Sequence, residues 1–377
     1  MPEHDPSLYV LDLHTHPTLK TYMFKRRFWR RHHPPGFLFP FTLRTDLDAL
    51  LEGNVKGLLC ATYVTERGWL DDCWPIRLQR PWNDTLDRIF TEVPDDMARE
   101  YLNHLDWVIR DTVARRGPHI EVAKSFSEMQ RIWSEGKIAI LNSMEGAHHL
   151  NGNLDNLQDF FERGVCKMIV PHMYPNEACW NVDAIPETIL LRKLGCFKQK
   201  FQLETGLTPW GRELIERMLD IGMIVDMTHG TPQFRKEVLD LAAEHPRKRP
   251  VVMSHVGVHA LAPYPMNPTP EDIRRITDTG GVVGIIAMSY WLSRPEIRDC
   301  REVLLKTVAH LIEHGGDDVV AFGSDFDGFT GVPRDWKSPR EYNNVRAWLL
   351  EKYSVEQVRK FLNGNAERVL REGWGKQ

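Results

Sequence analysis

The stretch LYVLDLHTHPT, residues 8–18, decides the fold, because it joins an apolar run to two histidines. Five of its first six residues are apolar, which predicts a buried β-strand. Side chains two positions apart on a strand point to the same side, so His14 and His16 should emerge together where the strand ends. Such a pair suits a metal ion, although a single His-x-His also arises by chance.

Seven more apolar runs follow, separated by longer amphipathic stretches. Because these runs are continuous rather than alternating, they predict parallel strands buried on both faces. The runs are VKGLLCATYV at 55–64, KIAILNSMEG at 137–146, CKMIVPHMY at 166–174, MIVDMTHG at 223–230, PVVMSHVG at 250–257, GVVGIIAMS at 281–289 and VVAFGSDFDG at 319–328. One intervening segment, 208–222, has the signals of a helix, with Thr208 as N-cap, Pro209 next and Gly222 as a stop.

Eight strands alternating with helices predict the α/β class and a single (β/α)₈ TIM barrel. We place one barrel over residues 1–377, with strand 1 at about 8–16, strand 8 at about 319–328 and C-terminal helices to about 370. Two parallel-sheet domains are the alternative, but no Pro/Gly/Ser-rich linker divides the chain. Long connections at 17–40 and 174–204 follow strands 1 and 4, on the side where barrel enzymes build their sites, and we expect lids there.

Composition limits the classes of partner. A net charge of −4 over 377 residues favours neither nucleic acid nor a membrane. No signal-peptide or membrane-spanning pattern is present, so the expected location is cytoplasmic. The six cysteines contain no CxxC pair, which predicts reduced thiols rather than a disulfide framework.

Residues able to hold metal or move protons fall at the ends of these apolar runs. They are His14 and His16 on strand 1, Glu145 on strand 3, His172 on strand 4, His229 on strand 5, His255 on strand 6 and Asp325 on strand 8. C-terminal strand ends meet on one side of a barrel, so the set is a stronger signal than any member. Each residue also has a structural alternative as a helix cap or a hydrogen-bonded loop residue, most readily His172. Four other histidines, His32, His33, His148 and His149, are interpreted as solvated loop residues.

Neutral imidazoles and carboxylates are good ligands for zinc and similar divalent ions. We therefore predict a site for Zn²⁺ or another divalent metal among these strand-end residues. A carboxylate can bridge two ions that share a hydroxide, and Glu145 is the natural candidate. Asp325 would then accept and donate protons beside the metals.

Several motifs together resemble the membrane (renal) dipeptidase family of zinc peptidases, within the amidohydrolase superfamily. They are SMEGAHHL at 143–150, the segment 205–231, PVVMSHVGVHAL at 250–261, FGSDFDG at 322–328 and VRKFLNGNAERVL at 358–370, so the resemblance runs from about residue 8 to 370. It implies a barrel with a binuclear zinc centre that cleaves dipeptides. Glu145 would bridge the ions, His14 and the residue at 16 would hold the first, and His229 and His255 the second.

The same resemblance implies that His172 steadies the tetrahedral intermediate and that Asp325 passes a proton to the leaving amine. Dimers are common in that family. Two departures stand out: His16 replaces an aspartate of the family pattern, and Met266 replaces an arginine that grips the substrate carboxylate. The basic loop residues Lys25, Arg26, Arg27, Arg30 and Arg31 are one source of a substitute cation. A solvated loop or an oligomer contact is the alternative for that loop.

The sequence thus favours a binuclear metal-dependent hydrolase that cleaves the amide bond of a dipeptide or dipeptide-like small molecule through a metal-bridging hydroxide. Another amidohydrolase reaction is the alternative, such as an N-acyl amino acid deacylase, a lactonase or a mononuclear deaminase. A third hypothesis is a barrel that retains metals without catalysis. Metal content and a substrate panel would separate the three.

Overall fold

The structure, a computed structural model, describes residues 5–33, 42–185, 190–197, 199–328 and 331–375, and every statement below concerns these residues. The strands in them are β1 (Val10–Thr15), β2 (Val55–Thr62), β3 (Ile120–Ala123), β4 (Ile138–Glu145), β5 (Val165–Ile169), β6 (Ile224–Asp226), β7 (Met253–Val256), β8 (Val283–Ile285) and β9 (Val320–Phe322). All of the paired strands run parallel.

Helices fill the connections between these strands. They are α1 (Pro17–Met23), α2 (Leu47–Glu52), α3 (Arg67–Asp72), α4 (Trp74–Arg77), α5 (Asp84–Thr91), α6 (Pro94–Arg116), α7 (Phe126–Ser134), α8 (Asp155–Glu162), α9 (Leu190–Lys193), α10 (Pro209–Ile221), α11 (Pro232–Glu244), α12 (Pro270–Asp278), α13 (Ser289–Leu292), α14 (Arg301–Gly315), α15 (Tyr342–Leu350), α16 (Val355–Arg359) and α17 (Asn365–Gly373). None of the helices in the described ranges is long and apolar enough to cross a membrane.

The strands close into a ring. One sheet has the order β1-β2-β4-β5-β6 and the other β7-β8-β9. A parallel bridge between Asp226 and Val252 joins β6 to β7, and a second between Thr15 and Phe326 joins the end of β9 to β1. The second seam carries backbone hydrogen bonds from His16 N to Phe326 O at 2.8 Å and from Asp325 N to His14 O at 2.9 Å. The predicted (β/α)₈ barrel is therefore confirmed.

Strand β3 was not predicted from the sequence. It pairs with the first half of β4, from Ile138 to Leu141, while β5 pairs with the second half, from Asn142 to Glu145. β3 therefore extends the sheet at the start of β4 without entering the ring. Its four residues are buried only at their two ends, which leaves too weak an apolar run to detect.

Helix α10 begins and ends where its sequence signals predict. The Thr208 side chain accepts a hydrogen bond from Gly211 N, and Pro209 occupies the first turn. Gly222 ends the helix with φ at +81°, a left-handed conformation that glycine adopts without a steric cost. The N-cap at Thr208 and the end of α10 at Gly222 are therefore those that the sequence predicts.

Two of the six cysteines form a disulfide, which corrects the expectation of six reduced thiols. Cys73, just before α4, is bonded to Cys196, and their Cα atoms lie 4.4 Å apart. The pair is 123 residues apart in sequence and meets only once β2 and β5 have joined the same sheet on either side of β4, so spacing could not reveal it. The bond ties the connection after β5 to the helices after β2.

The two predicted lids are only partly described. Residues 17–23 form helix α1 directly after His16, while residues 34–41 of the first connection lie outside the described residues. In the second connection α9 and the disulfide are described, and residues 186–189 and 198 are not. The lid role stays a prediction.

We expect the double variant Cys73→Ser/Cys196→Ser to lose about 2–4 kcal/mol of unfolding free energy, because the bond restrains a long loop in the unfolded chain. Urea denaturation without reductant measures the loss. Wild-type protein treated with dithiothreitol is the matched control and should unfold together with the variant. Unfolding of the variant at the urea concentration of oxidised wild type would contradict a stabilising role.

Candidate metal centre

The carboxylate of Glu145, at the end of β4, is the centre of a buried cluster. Oε2 lies 3.0 Å from His16 Nε2, and Oε1 lies 3.3 Å from His14, 3.5 Å from His172, 3.6 Å from His229 and 3.7 Å from His255, measured to Nε2 in each case. Asp325 Oδ1 lies 3.3 Å from His16 Nε2 and 3.7 Å from His14 Nε2. The structure thus brings all seven predicted residues together.

Local backbone conformation turns two of these side chains inward. His229 and Asp325 follow strands β6 and β9 and have left-handed φ angles of +68° and +57°. Such angles are uncommon for residues other than glycine and concentrate at functional sites. Gly328 leaves room for this arrangement, since a Cβ added there would lie 2.2 Å from Asp325 Oδ1.

Burial and charge oppose each other at the imidazoles. Burial lowers the pKa of His14 to about 3 and also lowers the pKa of His229 and His255. At His16 burial acts in the same direction, but Glu145 and Asp325 outweigh it and raise the pKa to about 10. The carboxylates therefore attract positive charge into the centre, supplied by a proton or by a metal cation.

The donor atoms fit a pair of metal ions. The Nε2 atoms of His14 and His16 are 2.9 Å apart, and those of His229 and His255 are 3.3 Å apart. Two ligands of a tetrahedral zinc, each about 2.0–2.1 Å from the ion, lie about 3.4 Å from each other. The two histidine pairs reach Glu145 through Nε2, so the residues present match two neighbouring ions bridged by one carboxylate.

Ring packing as well as hydrogen bonding orients these ligands. The His14 and His255 rings stack with centroids 4.0 Å apart, and the Trp291 indole lies parallel to His255 at 6.3 Å. Of the four histidines in the two pairs, His255 has a partner for its second nitrogen, with Nδ1 3.0 Å from Ser254 Oγ. The Nδ1 atoms of His14, His16 and His229 are buried and lack hydrogen-bond partners in the part of the chain described.

A buried ion pair supports His255 from inside the barrel. Lys167 on β5, 1% exposed, places Nζ 2.5 Å from Asp226 Oδ2 and 3.2 Å from Ser254 Oγ. Asp226 Oδ1 accepts hydrogen bonds from Thr228 N and Ser254 N. Sequence reasoning missed this pair, although a lysine and an aspartate inside otherwise apolar strands were a visible signal.

Glu66, four residues beyond β2, was also missed. Its Oε1 accepts hydrogen bonds from His172 Nδ1 at 2.7 Å and Met173 N at 3.0 Å, and its Oε2 accepts one from Tyr63 OH at 2.8 Å. Burial would raise the pKa of Glu66, but the facing His172 lowers it to about 2. The signal was a carboxylate shortly after the end of the second predicted strand, for which no site residue was predicted.

Asp12 acts through the backbone rather than on the imidazoles. Its Oδ1 accepts hydrogen bonds from His14 N and Ser324 N, and its Oδ2 accepts them from Ser324 Oγ and Tyr342 OH. Asp12 therefore fixes β1 to the segment after β9, next to the seam that closes the ring.

His148 and His149 are not solvated, which corrects their sequence interpretation. His149 is fully buried, and its Nε2 accepts a hydrogen bond from Val64 N at 2.9 Å. His148 Nε2 lies 2.8 Å from Val64 O. Both rings attach the turn after β4 to the turn after β2, so they stabilise the two segments that carry Glu145 and Glu66.

Met266 is fully buried, and Asn267 is occupied by bonds to backbone atoms of Gly257, Ala262 and Trp291. The basic loop after β1 was the predicted source of a substitute cation. Arg31 pairs with Glu52, and Lys25, Arg26 and Arg27 line a surface cavity together with residues of α6.

Lys20 is the cation of α1 that interacts with the centre. It is 1% exposed, and burial lowers its pKa to about 8 against the opposing effect of Asp327 and Asp325.

Comparisons with known proteins identify the family of this chain. Residues 11–373 match the profile of the family described as membrane dipeptidase, peptidase family M19. Dipeptidase tcpJ of Claviceps purpurea is 28% identical over 328 residues, covering 87% of this chain and 68% of that protein. An uncharacterized protein in the pqqA 5′ region of Klebsiella pneumoniae is 31% identical over 274 residues, covering 71% of this chain and 94% of that protein.

A crystal structure with the same fold is that of a Rhodobacter sphaeroides metallopeptidase liganded with a phosphinate mimic of the dipeptide L-Ala-D-Ala. The TM-score is 0.72 at 22% identity, covering 97% of this chain and 99% of that one. At that identity the likeness concerns the fold.

We expect Lys167→Met to lower the unfolding free energy by about 3–5 kcal/mol, because it leaves the Asp226 carboxylate buried without its cation. Chemical denaturation of the metal-free protein measures the loss without a contribution from bound ions. Lys137→Met is the matched control, since its partners Glu121 and Glu135 are partly exposed, and it should cost far less. Equal losses in the two variants would refute the supporting role of the buried pair.

Proposed function

The chain belongs to the membrane dipeptidase family, peptidase family M19, and from this premise we propose that it hydrolyses dipeptides at a centre that holds two divalent ions, with Zn²⁺ the best match. The observation that carries the proposal is the position of Glu145 between two pairs of imidazoles. His14 and His16 would hold one ion, and His229 and His255 the other. When bound, the ions would polarise the peptide carbonyl and supply an activated water for attack.

Asp325 is suited to move the proton that hydrolysis requires. Its carboxyl group is 5% exposed, and burial raises its pKa to about 6. A group that titrates near neutral pH can accept a proton from the attacking water at Oδ1 and give it to the nitrogen of the leaving amine. The new C–O bond then replaces the broken C–N bond, and the amine leaves neutral.

His172 is suited to steady the carbonyl oxygen as it gains negative charge. Its Nε2 faces the centre, 3.5 Å from Glu145 Oε1, while its Nδ1 is bonded to Glu66. A hydrogen bond to a carboxylate at Nδ1 fixes the ring orientation. Burial would lower the pKa of His172, but the charges of Glu145 and Glu66 outweigh it and raise that pKa, which favours the doubly protonated ring that can donate from Nε2. Glu66 is thus a positioning residue that acts through His172.

One observation favours a second candidate, a dipeptide-like amide without a free C-terminal carboxylate, such as a dipeptide amide. The side chain at position 266 is a fully buried thioether, which cannot grip a carboxylate as a guanidinium does. A substrate panel that pairs each dipeptide with its C-terminal amide distinguishes the two. A preference for free carboxylates supports an ordinary dipeptidase.

Removing the metals should remove the activity. We expect chelated enzyme to be inactive and to recover with Zn²⁺. We expect Glu145→Gln to lose about a hundredfold or more in kcat/KM, because one charge and one bridging oxygen are lost. Dipeptide hydrolysis and elemental analysis measure both effects.

Glu135→Gln, which alters an exposed carboxylate on the outside of the barrel, is the control for Glu145→Gln and should keep its metals and its rate. Full turnover by the chelated enzyme would refute the metal-dependent mechanism. One ion per chain in active enzyme would refute the binuclear centre.

A double-mutant cycle tests the Glu66–His172 pair. We expect Glu66→Gln and His172→Asn each to lower kcat by about 10–100-fold with metal content unchanged. The double variant should be no slower than His172→Asn alone, because Glu66 acts through that ring. Tyr63→Phe removes one donor to Glu66 and is the milder control. Independent, multiplying losses would contradict the positioning role.

A further inference from the structure

A second group of metal-binding side chains lies on the outer helix α14, away from the barrel centre. His310, Glu313 and His314 occupy positions i, i+3 and i+4, which lie on one face of a helix. One donor atom from each lies within 4.8 Å of the others. The two imidazole rings are 4.4 Å apart between centroids, and His314 Nε2 is 3.9 Å from Glu313 Oε2.

We propose that these three residues, the α14 site, bind a divalent transition-metal ion such as Zn²⁺ or Cu²⁺ independently of the catalytic centre. Two histidines four residues apart on one helix face chelate such an ion, and the carboxylate supplies a third donor. Two imidazole donors select zinc, copper or nickel over magnesium or calcium. Water would complete the coordination, because the cluster faces outward.

The amphipathic pattern of α14 places this cluster on the solvent side. The buried residues of the helix are Leu304, Thr307, Val308 and Leu311. His310 and His314 are half-buried, and the Glu313 side chain is 70% exposed. An ion can therefore reach the α14 site without entering the barrel, in contrast to the fully buried ligands around Glu145.

One ring nitrogen in the cluster has an unmet bonding requirement. His310 Nε2 is buried and has no hydrogen-bond partner among the residues that the structure describes. A buried polar atom without a partner is costly, and such exceptions in folded proteins often mark a place for an ion or water. Coordination by the His310 ring would offset that cost.

The end of the helix also favours a cation. α14 ends at Gly315, so the α14 site lies over the last turns, where unpaired carbonyl groups concentrate negative charge. His314 is the basic residue of the last turn, and Lys306 is paired with Glu302 farther up the helix. A bound divalent ion would place positive charge beside these carbonyl groups and so stabilise the end of the helix.

The test compares wild type with His310→Asn/His314→Asn. Both holoenzymes are dialysed against buffered Zn²⁺ and analysed for zinc per chain. We expect the double variant to hold one ion fewer, with its rate of dipeptide hydrolysis unchanged. His119→Asn, which removes one exposed histidine outside the cluster, is the matched control and should hold as much zinc as wild type.

Spectroscopy provides a second readout that does not depend on activity. Cu²⁺ added to zinc-loaded wild type should give an electron paramagnetic resonance signal with nitrogen coupling that the double variant lacks. Glu313→Gln changes an exposed side chain and keeps both imidazoles. It should weaken Cu²⁺ binding by severalfold. Equal zinc content in wild type and the double variant, or equal copper spectra, would overturn the proposal whatever the catalytic centre holds.

Discussion

The other polar groups of the centre are arranged around one buried negative charge, the carboxylate of Glu145. Glu145 is 2% exposed and is surrounded by five imidazoles, and in three of them burial outweighs the nearby carboxylates and lowers the pKa. An isolated carboxylate in such surroundings would be too costly to keep ionised. The protein resolves this by directing nitrogen atoms at both carboxylate oxygens, and cations bound between them would complete the neutralisation. The ends of the barrel strands hold these nitrogen atoms around Glu145.

The surrounding charges form separate supports rather than one network. Lys167 and Asp226 neutralise each other below His255, and Glu66 holds His172 from the far side. Asp12 fixes the segment after β9 through backbone and hydroxyl donors. Lys167, Glu66 and Asp12 are therefore held by their partners before a substrate arrives, and pre-oriented groups of this kind stabilise developing charge without reorganising.

Sequence reasoning located the barrel and its seven convergent residues because both depend on strand periodicity and on where each strand ends. Sequence reasoning did not detect contacts between residues that are far apart in the chain. Cys73 meets Cys196, and Glu66 meets His172, only after β2 and β5 have entered the same sheet. His149 was interpreted as a solvated loop residue because the sequence alone does not show that its Nε2 accepts a hydrogen bond from Val64 N. Strand β3 was missed because it has four residues and two of them are only partly buried.

The seam between Thr15 and Phe326 determines how Asp325 reaches the other six residues of the centre. Those six lie on or after strands β1 to β7, whereas Asp325 follows β9. The Asp325 backbone N–H donates to His14 O across the seam at 2.9 Å, so the pairing of β9 with β1 fixes the residue proposed to carry the proton. Fraying of this one seam would therefore displace the proposed proton carrier before it disturbed the imidazoles on β6 and β7.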